Sequence, residues 1–356
     1  MPAATSKHPP RKRVLKPRIR KAPANTSSSG STLDAVAKAA EVSTATVSRY
    51  FNNPGMVAPA TAQRVREAVE QLGYVPNLLA GGLAASRTRL VSAVIPTISE
   101  SLFASTIQAF NDTLATNGFS VMLGLSGDRD QHINRQVLSM IGHRPVGIIL
   151  TGATLPRDAR RQLEGSGISV IETWDLPSDP IDLVVGFSHE AAGTAIAEHA
   201  LNQGRRRAFV LSGSGTRALA RRQAFTKRMI TSGAPQPVVA TFDTPTNYRH
   251  GRTAVASHLE NGCRPDVIVC SSDWSAHGAL DELRCRGVRV PDDVAVIGFG
   301  DLDFAADLEP SLSTVKIDGH IMGEKAAQFM LRRIEGSVIE QRVVDIGFSL
   351  IRRSSS

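Results

Sequence analysis

Cysteine residues and long apolar runs are the features that this 356-residue chain lacks or has little of. Its three cysteines, Cys263, Cys270 and Cys285, form no Cys-x-x-Cys pair, so we expect reduced thiols in a cytoplasmic protein rather than a disulfide framework. No apolar run reaches the roughly 18–20 residues of a membrane-spanning helix, and no apolar stretch follows the basic N-terminal residues. We therefore expect no membrane partner and no signal peptide.

Acidic residues are missing from the first 31 positions, which hold eight of the 41 lysines and arginines. The other 33 basic residues balance the 33 acidic ones, so the N-terminal segment carries the whole formal excess of +8. Residues 1–30 are rich in Pro, Ser and Ala and poor in large apolar side chains, which predicts a disordered basic tail. Such a tail is suited to contacts with the phosphates of a nucleic acid, and these contacts weaken with salt.

Catalytic and metal-binding constellations are also missing. The histidines show no ligand spacing such as H-E-x-x-H, and Ser212 and Ser214 lack a G-x-S-x-G elbow. Gly213 to Ala218 fits the G-x-G-x-x-G/A dinucleotide fingerprint, but no acidic residue follows about 20 positions later to hold a ribose. We expect no enzyme, no metal and no cofactor. An NAD-responsive protein that uses this loop is the alternative, and a loop lining a ligand cleft is the interpretation that we favour.

Residues 32–52 are the most informative stretch of the chain. Their pattern predicts a helix, a three-residue turn and a second helix that begins on the natural N-cap Ser43. Val42, Val47 and Tyr50 are expected to face inward, which turns short side chains and one arginine outward. Such a surface is typical of a helix inserted end-first into the major groove of DNA. The candidate DNA-binding residues are Ser43, Thr44, Ala45, Thr46, Ser48, Arg49 and Asn52.

The sequence that follows strengthens this interpretation. Residues 59–72 predict a third amphipathic helix ended by Gly73, followed by a Tyr-Val-Pro-Asn corner at 74–77 and an Ala-Gly-Gly-Leu segment at 80–83. From Thr32 to Ala84 this order resembles the DNA-binding head of the lac repressor (LacI) family without a gap. The resemblance implies a helix-turn-helix DNA-binding domain at 31–75 and a hinge at 76–88. It adds Asn77 and Leu83 to the candidate DNA contacts.

The resemblance also implies how such a protein holds DNA. Two heads of a homodimer would enter successive major grooves of a palindromic operator in double-stranded DNA. The hinges, near residues 77–85, would fold as helices in the minor groove, with Leu83 wedged between the central base pairs. Gly81 and Gly82 each disfavour a helix by roughly 1 kcal/mol relative to alanine, so we expect the hinge to be ordered only on the operator.

Two positions of the head depart from the family pattern. Glu41 stands in the turn where the family usually has glycine, and at a positive φ a glutamate there would cost roughly 1 kcal/mol. Ala45 stands where relatives often carry a polar side chain that reads a base. An alanine offers only a methyl group, which suits contact with a thymine methyl.

From Leu90 onward apolar strands alternate with amphipathic helices, which predicts parallel sheets covered on both faces. Nine strands are many for one such sheet, so two doubly wound lobes are expected. The predicted strands are 90–96, 119–125, 147–151, 168–173, 183–186, 208–212, 238–242, 266–270 and 294–299. The predicted helices are 102–117, 131–142, 157–165, 189–203, 217–232, 249–262 and 275–287.

The resemblance extends through this region, where Val146 to Leu150, Ser272-Asp273 and Val290 to Phe299 look like family landmarks in the expected order. It implies an α/β fold in which the helix-turn-helix headpiece precedes a two-lobed core of the periplasmic-binding-protein type. The core would bind effector and dimerise. Its expected bounds are 89–356, with lobe one at about 89–187 and 317–345 and lobe two at about 188–316 and 346–356.

Ligands of such sheets bind outside the carboxyl ends of the strands. The residues there mix aromatic rings, carboxylates and arginines, which suits a polyhydroxy ligand that carries a carboxylate. The candidate effector-binding residues are Ser99, Phe103, Asp128, Trp174, Asp175, Arg217, Arg221, Asp273 and Phe299. Plainer interpretations stay open: Trp174 as a core residue, Arg217 and Arg221 as a solvated helix face, and Asp273 as a helix cap.

The runs 170–175 and 181–187 are similar to the gluconate-operon repressor branch of the family. The resemblance implies a transcriptional repressor of carbohydrate or sugar-acid catabolism genes, released from DNA by a small sugar acid such as gluconate or 2-ketogluconate. A neutral sugar or a purine as the effector stays open. A periplasmic-type sugar-binding module is a competing class, but it would have a signal peptide and no DNA-binding head.

Overall fold

The computed structural model describes residues 32–76, 88–98, 101–127, 130–152, 155–243 and 245–356. They form two compact units, one within Met1–Gly81 and the other within Gly82–Ser356. The described part of the first unit is helical, whereas the second is built on two six-stranded sheets.

The described residues of the first unit hold three helices: α1 (Leu33–Ala39), α2 (Thr44–Asn52) and α3 (Pro59–Leu72), with a 3-10 turn at Pro54–Met56. The hydroxyls of Thr32 and Ser43 cap the first two helices by accepting the N–H groups of Ala35 and Thr46, each at 3.2 Å. The apolar faces enclose one core, which consists of Val36, Ala37, Ala40, Val47, Val65 and Ala68.

The first sheet of the second unit consists of β1 (Leu90–Ile95), β2 (Ser120–Leu125), β3 (Gly147–Thr151), β4 (Ser169–Thr173), β5 (Leu183–Gly186) and β11 (Val343–Asp345). Its order is β11-β5-β4-β3-β1-β2, and all its pairs are parallel.

The second sheet consists of β6 (Ala208–Gly213), β7 (Val238–Phe242), β8 (Val267–Cys270), β9 (Ala295–Phe299), β10 (Ser313–Lys316) and β12 (Ser349–Ile351). Its order is β12-β10-β9-β8-β6-β7, parallel except between β10 and β12. We call the first sheet with its helices lobe one, and the second sheet with its helices lobe two.

In the described part of the second unit, eight helices cover the sheets: α4 (Ala104–Thr116), α5 (Asp130–Gly142), α6 (Arg157–Ser166), α7 (His189–Asn202), α8 (Thr216–Thr231), α9 (Tyr248–Glu260), α10 (Asp273–Cys285) and α11 (Gly319–Ile334). Helix α11 packs along α4 in lobe one, and α7 packs along α8 in lobe two. The chain therefore crosses between the lobes after β5, after β10 and after β11. Among the described residues, we find no helix that combines the length and the apolar character needed to span a membrane.

The predicted α/β architecture is confirmed. The nine predicted strands and seven predicted helices of the core all occur, with ends shifted by at most two residues. Strands β10, β11 and β12 were not predicted, because β11 and β12 have only three residues each and β10, Ser313–Lys316, has a single large apolar side chain, Val315. Helix α11 was missed as well. Its Gly319 and Gly323 weaken the helical signal, but a Cβ at Gly323 would overlap the carbonyl oxygen of Thr106, so glycine permits the close approach of α4.

The turn between α1 and α2 holds Glu41 at a φ of 54°, in the left-handed region. A side chain with a Cβ pays about 1 kcal/mol or more there, because Cβ crowds the following carbonyl. The sequence expectation for this position is therefore met by the backbone.

We expect Glu41→Gly to stabilise the first unit by about 1 kcal/mol, because glycine adopts a positive φ without a steric penalty. Hydrogen exchange at the amides of α1 and α2 measures this local stability. Glu41→Ala is the control, since it removes the carboxylate but keeps Cβ. Equal protection in the two variants would show that the gain comes from removing the charge and not from the backbone.

Candidate functional sites

Helix α2 presents a polar face to solvent. Val47, on the opposite side, is completely buried and anchors the helix in the head core. Among the predicted DNA-binding residues, Thr46 and Ser48 are half-buried. The exposed ones are Ser43, Thr44, Ala45, Arg49 and Asn52. Asn77, Leu83 and the predicted hinge lie outside the described residues.

Hydrogen bonds within α2 orient part of this face. The Asn52 side-chain amide donates to the Ser48 carbonyl at 3.0 Å, and the Ser43 and Thr46 hydroxyls lie 2.9 Å apart. The start of the helix thus offers hydroxyl and methyl groups, and Arg49 lies one turn farther on. Hydroxyls, methyls and guanidinium groups are the groups that read base edges in a major groove.

A cleft open to solvent lies between the two lobes of the second unit. Lobe one contributes Leu102, Phe103 and Trp174, and lobe two contributes two arginines together with the ends of its strands. The cleft is therefore at the carboxyl edge of the parallel sheets, where ligands of such folds bind.

Trp174 forms the buried wall of lobe one. It follows β4 with a φ of 71°, which is unusual for a residue with a side chain. Its indole Nε1–H donates to the Thr106 hydroxyl at 3.1 Å, and its ring meets Phe103 and Phe187 edge-on at centroid distances of 5.2 and 6.0 Å. These contacts hold the strained backbone and leave the Trp174 carbonyl facing His189.

His189 is the first residue of α7 and is buried between the lobes. Its Nε2 lies 2.8 Å from the Trp174 carbonyl oxygen, and its Nδ1 lies 3.0 Å from Nη1 of Arg221. A carbonyl only accepts and a guanidinium only donates, so the imidazole is neutral with its proton on Nε2. Burial, followed by the charges of Arg221 and Arg217, lowers the pKa of His189 to about 2.

Arg221, on α8, lines the cleft from lobe two. Its guanidinium carbon lies 3.8 Å from the ring centroid of Phe299, in a cation–π contact. Its Nη2 donates to the Ser271 carbonyl at 3.5 Å. Gly193 on α7 makes this arrangement possible, since a Cβ there would overlap the Arg221 carbonyl oxygen.

Arg217 lies one turn earlier on α8 and reaches across to lobe one. Its guanidinium carbon is 5.2 Å from the ring centroid of Phe103. It also lies against Gly152, just after β3, where any Cβ would overlap the guanidinium. Two guanidinium groups therefore border the cleft, each within cation–π distance of a phenyl ring. Such groups bind carboxylates with two parallel hydrogen bonds.

Five of the nine predicted effector-binding residues line this cleft, namely Phe103, Trp174, Arg217, Arg221 and Phe299. Ser99 and Asp128 lie outside the described residues. Asp175 is exposed and is not among the lining residues, and its carboxylate accepts the backbone N–H of Leu176 at 2.8 Å. Asp273 is completely buried and is not among the lining residues.

The buried Asp273 carboxylate holds three segments of lobe two together by hydrogen bonds. It accepts the Thr314 hydroxyl at 2.6 Å and the Leu302 N–H at 2.8 Å, which joins α10, β10 and the loop after β9. Gly298 makes room, since a Cβ there would overlap this carboxylate. Burial raises the pKa of Asp273 to about 6, although the two hydrogen bonds oppose the shift.

Two aromatic residues of the cleft were missed by the sequence reasoning. His189 was considered only as a metal ligand, although it follows β5 closely enough for the strand-end rule to select it. Trp274 is 43% exposed on the rim, with its ring 4.6 Å from that of Phe304, and it follows Asp273 in the chain. The predicted residue is its neighbour Asp273, because a carboxylate accepts hydrogen bonds from the hydroxyls of a sugar.

The glycine-rich loop also borders the cleft, as favoured from the sequence. Strand β6 ends at Gly213 and α8 begins at Thr216, with Gly213 and Gly215 among the lining residues. Over the described ranges, His, Cys, Asp and Glu side chains form no group of three that could hold a metal ion.

An exposed polar second helix in a three-helix head, together with an interlobe cleft, is typical of a ligand-responsive DNA-binding regulator. Comparisons with known proteins agree. The model for bacterial regulatory proteins of the lacI family matches residues 32–77, and a periplasmic binding protein-like domain matches residues 197–356. The HTH-type transcriptional regulator GntR of Pseudomonas aeruginosa is 34% identical over 330 residues, which cover 91% of this chain and 95% of the relative.

Solved structures agree as well. A LacI family transcriptional regulator from Silicibacter pomeroyi superposes with a TM-score of 0.86 at 29% identity, covering 91% of this chain and 98% of that one. The lac repressor dimer bound to operator and the anti-inducer ONPF has the same fold, with a TM-score of 0.78 at 23% identity over 91% of this chain and 98% of that one. The chain belongs to the LacI family and is a DNA-binding transcriptional repressor.

We expect the stability difference between wild type and Asp273→Asn to depend on pH. With a folded pKa of about 6, Asp273 retains a proton that the unfolded chain releases near pH 4. Its contribution to stability is full below that pH and is lost as the pH rises through 6. Between pH 7.5 and pH 5, wild type should gain about 1 kcal/mol on the variant in urea unfolding. A constant difference would contradict the shifted pKa.

Proposed function

We propose that this repressor controls genes of sugar-acid catabolism and leaves its operator when a small sugar acid, such as gluconate or 2-ketogluconate, enters the interlobe cleft. The observation that carries the proposal is the pair Arg217 and Arg221, which line the cleft and each lie within cation–π distance of a phenyl ring. Arginine binds a carboxylate with two parallel hydrogen bonds. The guanidinium groups of lobe two would thus bind the carboxylate of the effector.

The rest of the cleft suits the polyhydroxy part of such a ligand. Thr246, Ser271 and Ser272 bring hydroxyl groups to the lining, and Trp274 offers an exposed ring at the rim. Hydroxyls pair with the alcohols of a sugar acid, and the indole face covers its carbon chain. A neutral sugar would leave the guanidinium groups without an anionic partner from the ligand, which favours the acid over the sugar or a purine.

An NAD-responsive protein is the second candidate. The loop 213–218 joins a strand to a helix, as a dinucleotide fingerprint requires. The sequence has no acidic residue at the expected distance for the ribose, since the next one is Asp243. The side chain of Arg217, in the first turn of α8, contacts Phe103 in the opposite lobe. We therefore infer that the loop lines a sugar-acid site, and that the chain acts by binding rather than by catalysis.

Calorimetric titration of the purified chain tests the effector. We expect heat with D-gluconate or 2-ketogluconate, and Arg221→Met should weaken that binding at least tenfold, because it removes charged hydrogen bonds worth about 1.5–3 kcal/mol each. Arg222→Met is the matched control, since Arg222 lies on the same helix and bonds to Thr241 at 2.9 Å. Heat with glucose, a purine or NAD alone would refute the sugar-acid effector.

For the DNA-bound form, we propose a homodimer that reads a palindrome. Each sheet ends in an exposed edge strand with large apolar side chains: Leu123 and Leu125 on β2, and Val238 and Val239 on β7. Unprotected apolar edges favour association with another chain. A second copy paired along both edges would cover them and bring two heads to one operator. Operator DNA lies in the cytoplasm, where we place the protein.

In each head, the proposed base-reading residues are those of the α2 face, and Arg49 is the one that carries a charge. We expect Arg49→Ala to lose about 1–3 kcal/mol of operator affinity, measured on palindromic DNA selected from a random library, with little change on unrelated DNA. Arg64→Ala, on the exposed side of α3, is the matched control and should keep the specificity ratio. Equal loss on both DNAs would make Arg49 a phosphate contact.

The same assay tests the dimer. Wild type should bind the full palindrome far more tightly than a half-site, because the second head binds at a high effective concentration. Equal affinity for the two DNAs would contradict a dimer on the operator.

A further inference from the structure

His189 stands at the first crossing between the lobes. Strand β5 ends at Gly186 in lobe one, and α7 begins at His189 in lobe two. The imidazole contacts a backbone carbonyl of one lobe and a cleft-lining guanidinium of the other. Phe187 and Phe299 enclose it, with centroids 4.4 and 6.5 Å from the imidazole ring. This position joins the ligand side of lobe two to the strained backbone of lobe one.

Two kinds of contact, a cation–π contact and a hydrogen bond, orient the Arg221 guanidinium. The cation–π contact holds the guanidinium above the Phe299 ring, but a cation above a ring is free to turn there. A hydrogen bond has a preferred direction and therefore limits this rotation. The His189 Nδ1 accepts from Nη1 at 3.0 Å, whereas the bond to the Ser271 carbonyl is long, at 3.5 Å. The imidazole is the closer of these two acceptors.

We propose that His189 is a positioning residue that sets the direction of the Arg221 guanidinium and ties it to the backbone of Trp174. This proposal rests on the proposed function, because it treats Arg221 as the group that meets the anionic effector. A carboxylate that turns the guanidinium moves the imidazole with it. The imidazole is also bonded to the Trp174 carbonyl. The Arg221–His189 and His189–Trp174 hydrogen bonds therefore couple ligand binding in lobe two to the backbone of lobe one.

Three variants separate positioning from simple stability. His189→Gln keeps one donor and one acceptor on a side chain of similar reach, whereas His189→Leu removes both. His199→Leu is the matched control: His199 lies on the same helix, is equally buried at 5% exposure, and bonds to the Ser356 hydroxyl instead of the cleft.

In calorimetric titration of the full chain with D-gluconate, we expect His189→Leu to raise the Kd about tenfold or more, since it removes a hydrogen bond to a charged group. His189→Gln and His199→Leu should stay within about threefold of wild type. A Gln variant as weak as the Leu variant, or a weakened His199 control, would overturn positioning.

A ligand-free measurement keeps this proposal distinct from the identity of the effector. If wild type gives no heat with D-gluconate or with 2-ketogluconate, the proposed effector is wrong. The His189–Arg221 link is then tested through the Tm of His189→Leu in the wild-type and Arg221→Met backgrounds. We expect a smaller loss of Tm in the Arg221→Met background, because the bond is already absent there. Equal losses in both backgrounds would overturn the link.

Discussion

A buried, uncharged imidazole is the constraint on which the cleft depends. His189 satisfies a carbonyl on one side and a guanidinium on the other, and only the neutral Nε2–H form can do both. Burial and two nearby arginines exclude the proton that would make it a cation. The arrangement also needs the missing side chain of Gly193, because the close approach of α7 and α8 brings His189 within reach of Arg221.

The two arginines of α8 have different surroundings, although they are one turn apart. Arg221 is held within lobe two by Phe299 and the Ser271 carbonyl, whereas Arg217 extends to Phe103 and Gly152 in lobe one. A change in the separation of the lobes would therefore alter the contacts of Arg217 more than those of Arg221. The hydrogen bonds of the Asp273 carboxylate join three segments of lobe two. We therefore expect these segments to move less than the contacts of Arg217 when the lobes change their separation.

Much of this fold was accessible from the sequence, because strongly periodic segments and capping residues act locally. Ser43 was identifiable as a cap from its place between a turn and an apolar pattern, and the structure gives it that bond. Glu41 was identifiable as a strained position only through the family pattern. Strands β11 and β12 have only three residues each, and β10 has one large apolar side chain, so none of them shows a period. Helix α11 packs through glycines, which lower the helical signal in the sequence.

The cleft was less accessible, because the strand-end rule locates an edge and not the direction of a side chain. It selected Arg217, Arg221 and Phe299 correctly as lining residues. It could not show that Gly298 would admit the Asp273 carboxylate into the interior, since that depends on a contact between distant parts of the chain. It also did not reveal the neutral role of His189, which requires two partners from different lobes.

The chain has only two tryptophans, and both border the cleft. Trp174 is 1% exposed in the wall of lobe one, whereas Trp274 is 43% exposed on the rim of lobe two. The indole fluorescence of the whole protein therefore originates beside the interlobe cleft, from one buried and one solvent-exposed ring. Blue-shifted and red-shifted emission can be assigned to opposite lobes, which gives the protein a built-in optical reporter of each wall.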